Sequence, residues 1–230
     1  MKNTALIIGN SDGIGLALTK QLLSENWLVV GISRSPLQLD NSEYKHVICD
    51  VASEAYIETL DSVLKKTVPL DLCVYCAGIG ELVNFKNLTA DVDTVNVTLM
   101  GMVHTLAQVI PAMLENGKGH FIGLSSFADE LLSEEAPAYH ASKAGFSSYL
   151  GCLALALQSK PVHVTNLRFG FVDTKMAKGT KKPLMMPVTK AVWHIQKCIK
   201  QKPARYTVPR MAIPLVKFRR LMLNLKLLRL

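Results

Sequence analysis

The chain has 230 residues and a net charge of +8, from 26 Lys and Arg against 18 Asp and Glu. Apolar residues make up 49% of it, enough for one sizeable core, and no linker, internal repeat or low-complexity tract divides it. The positive charge comes without a recognisable nucleic-acid reading element, so no nucleic-acid partner is expected.

Residues 4–9 are a short apolar run ended by glycine and read as a buried strand. The turn Gly9-Asn-Ser-Asp-Gly13-Ile-Gly15 follows. A helix is predicted near 13–25, with apolar residues at 16, 18, 22 and 23 over polar 19 to 21. Strand, glycine turn and helix N-terminus together make a phosphate cradle. The helix offers free N–H groups and a partial positive charge, and glycine lets the backbone approach a pyrophosphate. The spacing Gly-x-x-x-Gly-x-Gly differs from the commoner Gly-x-Gly-x-x-Gly, and a glycine triplet by itself is often only a tight turn.

Further strands are expected at 27–32, 45–50, 71–77, 118–125, 161–168 and 204–208. Further helices are expected near 53–66, 91–115, 137–158 and 188–201. Strand-like and helix-like segments alternate from end to end. This predicts one domain over 1–230: a doubly wound (Rossmann) α/β fold, its seven-stranded parallel sheet covered by helices on both faces. The second strand ends at Ser33-Arg34, where an acidic residue would bind the 2′-hydroxyl of NAD. A hydroxyl and a guanidinium there suit a 2′-phosphate, so NADP(H) is expected in preference to NAD(H).

Cys73-x-x-Cys76 invites a redox or metal reading, but on a buried strand positions i and i+3 face opposite sides. The six histidines show no metal-ligand spacing, so no metal site is expected. The first strand begins almost at once, and five cysteines suit a reducing compartment, so a cytoplasmic location is expected.

Tyr139 and Lys143 stand four residues apart in Ala-Tyr-His-Ala-Ser-Lys and share a helix face. Ser126 lies thirteen residues before the tyrosine. Tyr-x-x-x-Lys alone is weak evidence. With the other motifs in order, however, residues 4–174 resemble the short-chain dehydrogenase/reductase family in its short single-domain form. The glycine turn is Gly9, Gly13 and Gly15, with Ser11, Asp12 and Ile14 between them. Asp50-Val51 looks like the adenine-contacting pair, Ala77-Gly78 closes the fourth strand, and Asn96 is similar to the family's helix asparagine. Gly170-Phe-Val172-Asp-Thr174 is similar to the turn that holds the nicotinamide. The sequence departs from the pattern at Ile8, at Tyr75-Cys76 and at Phe169.

The resemblance implies hydride transfer between NADP(H) and a carbonyl or secondary alcohol. Tyr139 would be general acid in reduction and general base in oxidation. Lys143 would lower the tyrosine's pKa and hold the ribose hydroxyls. Ser126 would donate a hydrogen bond to the substrate oxygen, and Asn96 would hold a water linking Lys143 to solvent. A homodimer or homotetramer is implied, paired through helices 91–115 and 137–158. A non-catalytic dinucleotide-binding sensor or scaffold is the alternative.

Basic residues gather late: Lys175, Lys178, Lys181 and Lys182, then Lys197 through Arg229. An anionic cofactor, an anionic substrate or a membrane surface would each account for them. In the family the region after Thr174 forms the substrate lid; here it carries Leu184, Met185 and Met186, which suit an apolar substrate. The tail, 210–230, holds basic residues and no acid. Plotted as a helix, Leu215, Phe218, Leu221, Met222 and Leu225 form one apolar stripe, and Val216, Leu223 and Leu227 a second. One stripe can pack on the domain, leaving the other for a peripheral membrane contact or a subunit interface. The charges exclude a simple membrane-spanning helix.

Overall fold

Strand β1 (Thr4–Ile8) is buried along its whole length. Leu6 and Ile8 enter one core layer, Ala5 and Ile7 the other. A strand apolar on both faces requires helices on both sides of its sheet, and the computed structural model supplies them. It describes residues 2–67, 69–177 and 184–228. Lys178, Lys181, Lys182 and Arg229 lie outside the described residues.

The chain runs β1, α1 (Gly13–Ser24), β2 (Leu28–Ser33), β3 (Tyr44–Ile48), α2 (Tyr56–Lys66), β4 (Leu72–Tyr75) and α3 (Thr89–Val95). A π-helical turn, Asn96–Met100, leads into α4 (Gly101–Glu115) and β5 (Gly119–Ser126). A 3-10 turn, Phe127–Glu130, precedes α5 (Pro137–Ala156) and β6 (Val162–Phe169). Then come α6 (Val188–Gln201), β7 (Arg205–Val208) and α7 (Ile213–Leu227).

All seven strands are parallel, in the order β3-β2-β1-β4-β5-β6-β7. The order reverses between β1 and β4, so a ligand crevice opens at their C-terminal ends. One layer of the core joins the sheet to α2, α4 and α5 through Leu60, Leu106, Phe146 and Leu150. The other joins it to α1 and α6 through Leu18, Leu22, Ala191 and Ile195. Cys73 belongs to the first layer and Cys76 packs against the second, as strand alternation requires. Burial pushes the Cys76 thiol up to about 12, which leaves it an inert thiol at neutral pH.

Two features interrupt the regular strand–helix alternation, the first where no helix was expected. The crossover from β2 to β3, residues 34–43, contains no helix. A polar chain lies on that face instead. Asn10 donates to the Tyr44 hydroxyl at 2.6 Å, Tyr44 donates to His46 Nδ1 at 3.0 Å, and His46 Nε2 donates to the Ser35 carbonyl at 3.1 Å. Gly31 makes this possible, because a Cβ there would overlap the Asn10 amide.

The second interruption is in the helix expected over 91–115, which is broken by the π-helical turn. Gly101 N–H donates to the Asn96 carbonyl, five residues back, so the Val97 carbonyl loses its usual partner. The Tyr75 hydroxyl, fully buried at the end of β4, donates to that carbonyl. A Cβ on Gly101 would strike the same hydroxyl and come within 2.9 Å of Val51 Cγ2. Tyr75, Val97 and Gly101 therefore form one contact. Tyr75→Phe strands a buried carbonyl and should cost about 1–3 kcal/mol; Gly101→Ala overpacks the site by a similar amount, about 1–3 kcal/mol. Without the hydroxyl the new methyl meets less obstruction, so urea denaturation of the double variant should show a loss at least 1 kcal/mol smaller than the sum, on the order of a directly coupled pair.

Candidate active site

The glycine turn is built by close approach of backbone to backbone. Gly9 has φ +83°, and a Cβ on it would stand 2.7 Å from the Ala77 nitrogen. A Cβ on Gly15 would strike the Gly9 carbonyl oxygen. The ends of β1 and β4 and the start of α1 thus touch without side chains between them, and the first-turn N–H groups of α1 open toward the crevice. Asp12 caps α1, its Oδ1 accepting from Gly13 N at 2.7 Å. The 170–175 turn closes over this cradle. Thr174 Cγ2 lies 3.3 Å from the Cβ position of Gly13, and Lys175 Nζ pairs with Asp12 at 2.8 Å, which together with the Gly13 N–H holds the Asp12 carboxyl below its ordinary value. A pyrophosphate fits a cradle of this kind; a Cβ at Gly9 or Gly15 would strike the backbone that builds it.

At the C-terminal end of β2, Ser33 is buried and donates to the Ser35 carbonyl at 2.9 Å. Arg34 is exposed, with Nη1 3.8 Å from Asp50 Oδ2. Val51 turns its side chain into the core against Gly101, leaving its backbone to the crevice. The Asn10–Tyr44–His46 chain ends on Ser35 and so fixes this loop beside the glycine turn.

Tyr139, Ser126 and Lys143 meet at the mouth of the crevice. Helix α5 presents the tyrosine and the lysine one turn apart, and β5 ends at the serine. Tyr139 packs on Gly80, where a Cβ would lie 2.8 Å from its ring. Its hydroxyl lies beside Ser126, close enough for the serine to pull the phenol's pKa down. The Ser126 Oγ accepts from Ala128 N at 3.2 Å.

Lys143 is 5% exposed. Its ammonium donates to the Leu124 carbonyl at 2.8 Å, sits 4.7 Å over the Phe146 ring, and lies 3.8 Å from the Cβ position of Gly78. Burial pushes this lysine down to about 8, against the pull of Asp129 and Cys76. The tyrosine runs contrary to the sequence expectation. Burial raises its phenol above the ordinary 10; the nearby Ser126 opposes and the Asp129 charge adds to the rise. The lysine does not reverse this, standing 5.9 Å from the ring centroid and engaged with Leu124.

Behind the three groups lies a buried ion network. Arg168 on β6 grips the Asp129 carboxylate with two nitrogens, Nε at 2.6 Å, and Glu130 at 2.8 Å. Ser147 on α5 donates to the same carboxylate at 2.6 Å, and Arg205 completes the charge balance by pairing with Glu130 at 2.6 Å.

Residues 3–184 match the family model for short chain dehydrogenases. The chain belongs to the short-chain dehydrogenase family. It is 29% identical over 238 aligned residues to an uncharacterized oxidoreductase of Myxococcus xanthus, an alignment covering 92% of this chain and 89% of that one. It is 27% identical to a 3-oxoacyl-(acyl-carrier-protein) reductase of Buchnera aphidicola, over 77% of this chain and 76% of the other. A crystal structure of a short-chain dehydrogenase from Burkholderia cenocepacia, in complex with NADP, superposes with a TM-score of 0.84 at 19% identity, covering 94% and 92% of the two chains. The fold and the oxidoreductase class follow from this membership.

Membership orders the sequence-predicted residues into those brought together and those set apart. Ser126, Tyr139, Lys143 and Gly78 converge, and Met176 reaches the same place, its Cε 4.0 Å from the Gly78 Cβ position. Asn96 opens the π-helical turn, and among the described contacts its side chain makes no hydrogen bond to Lys143. Gly170 packs between Phe127 and Pro209, and Val172 is buried and bridged to Met186. Met186, expected in the lid, is therefore core, while Leu184 is exposed. Asp129, Arg168, Asn10 and Tyr75 were missed. Asp129 alone carried a signal: a carboxylate three residues after Ser126, on a segment too apolar to leave it unpaired.

Lys143 also gives the short-chain dehydrogenase fold a pH dependence. Its folded value, about 8, lies below the ordinary 10.5, so between these values the unfolded chain binds more protons and stability from this group rises with pH. Lys143→Met should therefore melt higher than the parent below pH 8, and the difference should shrink as pH climbs toward 10.5, by up to about 3 kcal/mol, the equivalent of the shift. Thermal melts of both proteins across that window check it.

Proposed function

We propose that this oxidoreductase interconverts carbonyls and secondary alcohols, uses NADP(H) in preference to NAD(H), and takes an apolar substrate. The meeting of Ser126, Tyr139 and Lys143 beside Gly78 carries the reading. A nicotinamide dinucleotide bound along this edge supplies the hydride in reduction and accepts it in oxidation. The backbone of Gly9, Ser11, Gly13, Ile14 and Gly15 would hold its pyrophosphate, with Asp12 capping the helix behind. Ser33 and Arg34 would face the 2′-phosphate, Asp50 and Val51 the adenine, Ala77, Gly78 and Lys143 the nicotinamide ribose, and Gly170, Val172 and Thr174 the nicotinamide.

Tyr139 donates its phenolic proton to the substrate oxygen in reduction. A phenol held above 10 keeps that proton throughout the neutral range. Ser126, whose oxygen is already anchored by the Ala128 N–H, turns its own proton to the same substrate oxygen and stabilises charge as it develops. Lys143 spends one of three N–H groups on Leu124 and keeps two for the ribose and the phenol. For oxidation the phenol must lose its proton, and the positive charge of an oxidised nicotinamide, added to that of the Lys143 ammonium, would favour the phenolate. Asn96 is assigned the water link to Lys143 by family resemblance.

The apolar preference is supported by Met176, exposed and reaching Gly78, and by exposed Phe171 in the 170–175 turn and exposed Leu184 after it. The same reading extends to a homodimer or homotetramer paired through α4 and α5, working in the cytoplasm.

Tyr139→Phe should cut turnover by about 10²–10⁴-fold, the usual worth of positioned proton transfer. NADPH affinity, read by fluorescence titration, should stay within about twofold of the parent because the ribose contacts remain. Unchanged turnover would instead mark a dinucleotide-binding scaffold. Arg34→Ala should raise the KM for NADPH by about 10–100-fold, the loss of a charge-assisted hydrogen bond, and move that for NADH far less. Parallel steady-state assays with the two cofactors decide this, and equal KM values in the parent would overturn the preference.

A further inference from the structure

Helix α7 meets the domain along one side only. It packs beside the Phe127–Glu130 turn, with Val216 buried and Ile213 and Leu223 half-buried on that side. The opposite side presents Leu215, Phe218, Leu221, Met222 and Leu225, each between 44% and 66% exposed. On a helix of 3.6 residues per turn these five make one continuous face. Cations border it, Lys217 along one flank and Arg219 and Lys226 along the other. Residues 211–230 contain no acid.

We propose that this face docks the protein onto an anionic lipid bilayer. An apolar stripe edged by cations on both flanks places hydrocarbon below the headgroups and positive charge among the phosphates. The charge pattern argues against a second copy as the occupant. A two-fold contact sets a surface against itself, so the cations bordering this face would meet those bordering the copy's, with no carboxylate on the helix and only Glu134, 3.6 Å from Lys226, beside it to offset them. The domain itself is not the occupant, because the Val216 side already serves that contact.

Exposed apolar residues also lie beside the helix and beside the turn that it packs on. Met211 precedes the helix, and Lys226 reaches Glu134 at 3.6 Å, two residues beyond exposed Leu132. Phe171, next to a glycine packed between Phe127 and Pro209, is exposed as well. A helix docked this way sets the cleft at the edge of the lipid, where a membrane-dissolved carbonyl could enter. That consequence rests on the reductase reading; the docking itself does not.

Co-flotation of the full chain with vesicles tests it. Vesicles of phosphatidylcholine with about one-third phosphatidylglycerol should carry the protein, and pure phosphatidylcholine vesicles should carry far less. Each cation removed should weaken binding about fivefold, so K217Q/R219Q/K226Q should lose roughly a hundredfold. F218D/L225D should abolish flotation yet leave the melting temperature and NADPH affinity unchanged, since both side chains face solvent. Failure of the parent to float with the mixed vesicles would overturn the proposal, as would equal binding to both vesicle types. Sedimentation showing that F218D/L225D splits a dimer whose parent ignores vesicles would overturn it in favour of a subunit interface.

Discussion

One buried carboxylate, Asp129, holds together the three segments from which the site is assembled. Arg168 on β6 grips it with two nitrogens and Ser147 on α5 donates to it. Asp129 itself lies in the turn that begins directly after Ser126. The strand leading to the 170–175 turn, the helix bearing Tyr139 and Lys143, and the loop bearing Ser126 are thus fixed to a single group. Removing one partner from such a pair would leave an uncompensated charge in the interior, a cost of about 3–5 kcal/mol. Its geometry is therefore strongly enforced, and with it the spacing of the three catalytic candidates. The same charge reaches the chemistry, adding to the rise at Tyr139 and partly offsetting the fall that burial imposes on Lys143.

The departures from the family pattern have physical substitutes. Where the family places asparagine, Tyr75 sends a hydroxyl to the carbonyl that the π-helical turn leaves without its usual partner, and glycine at 101 gives it room. Thr98, one residue on from that carbonyl, bonds both the N–H and the carbonyl of Ile79, so the turn is tied to the loop after Gly78 as well. Where a crossover helix is lacking between β2 and β3, Asn10, Tyr44 and His46 form a directional chain of donors and acceptors ending on Ser35.

Lys143 shows how a cost to the fold becomes useful. Its ammonium sits almost fully out of water, with one carbonyl and an aromatic face as compensation. Two N–H groups remain to be satisfied there, and a ribose hydroxyl pair and a phenolate are partners of the right kind. An unfilled demand of this sort favours a ligand that meets it.

Periodicity and punctuation were enough to specify the parallel sheet. Apolar runs such as Leu72–Tyr75, alternating with helix-like segments, read as strands buried on both sides, and the glycine turn between β1 and α1, set between a strand and a helix, reads as a place where backbones come close. The i,i+4 spacing of Tyr139 and Lys143 likewise survives folding, because a helix keeps it. The sequence did not reveal the π-helical turn, the Asp129–Arg168 pair or the raised tyrosine. Each depends on which groups from distant segments exclude water from one another: Arg168 is 39 residues from Asp129, and Tyr75 is 22 from Val97. Burial, and with it the strength of a charge or the need of a carbonyl for a donor, is decided only when those segments pack.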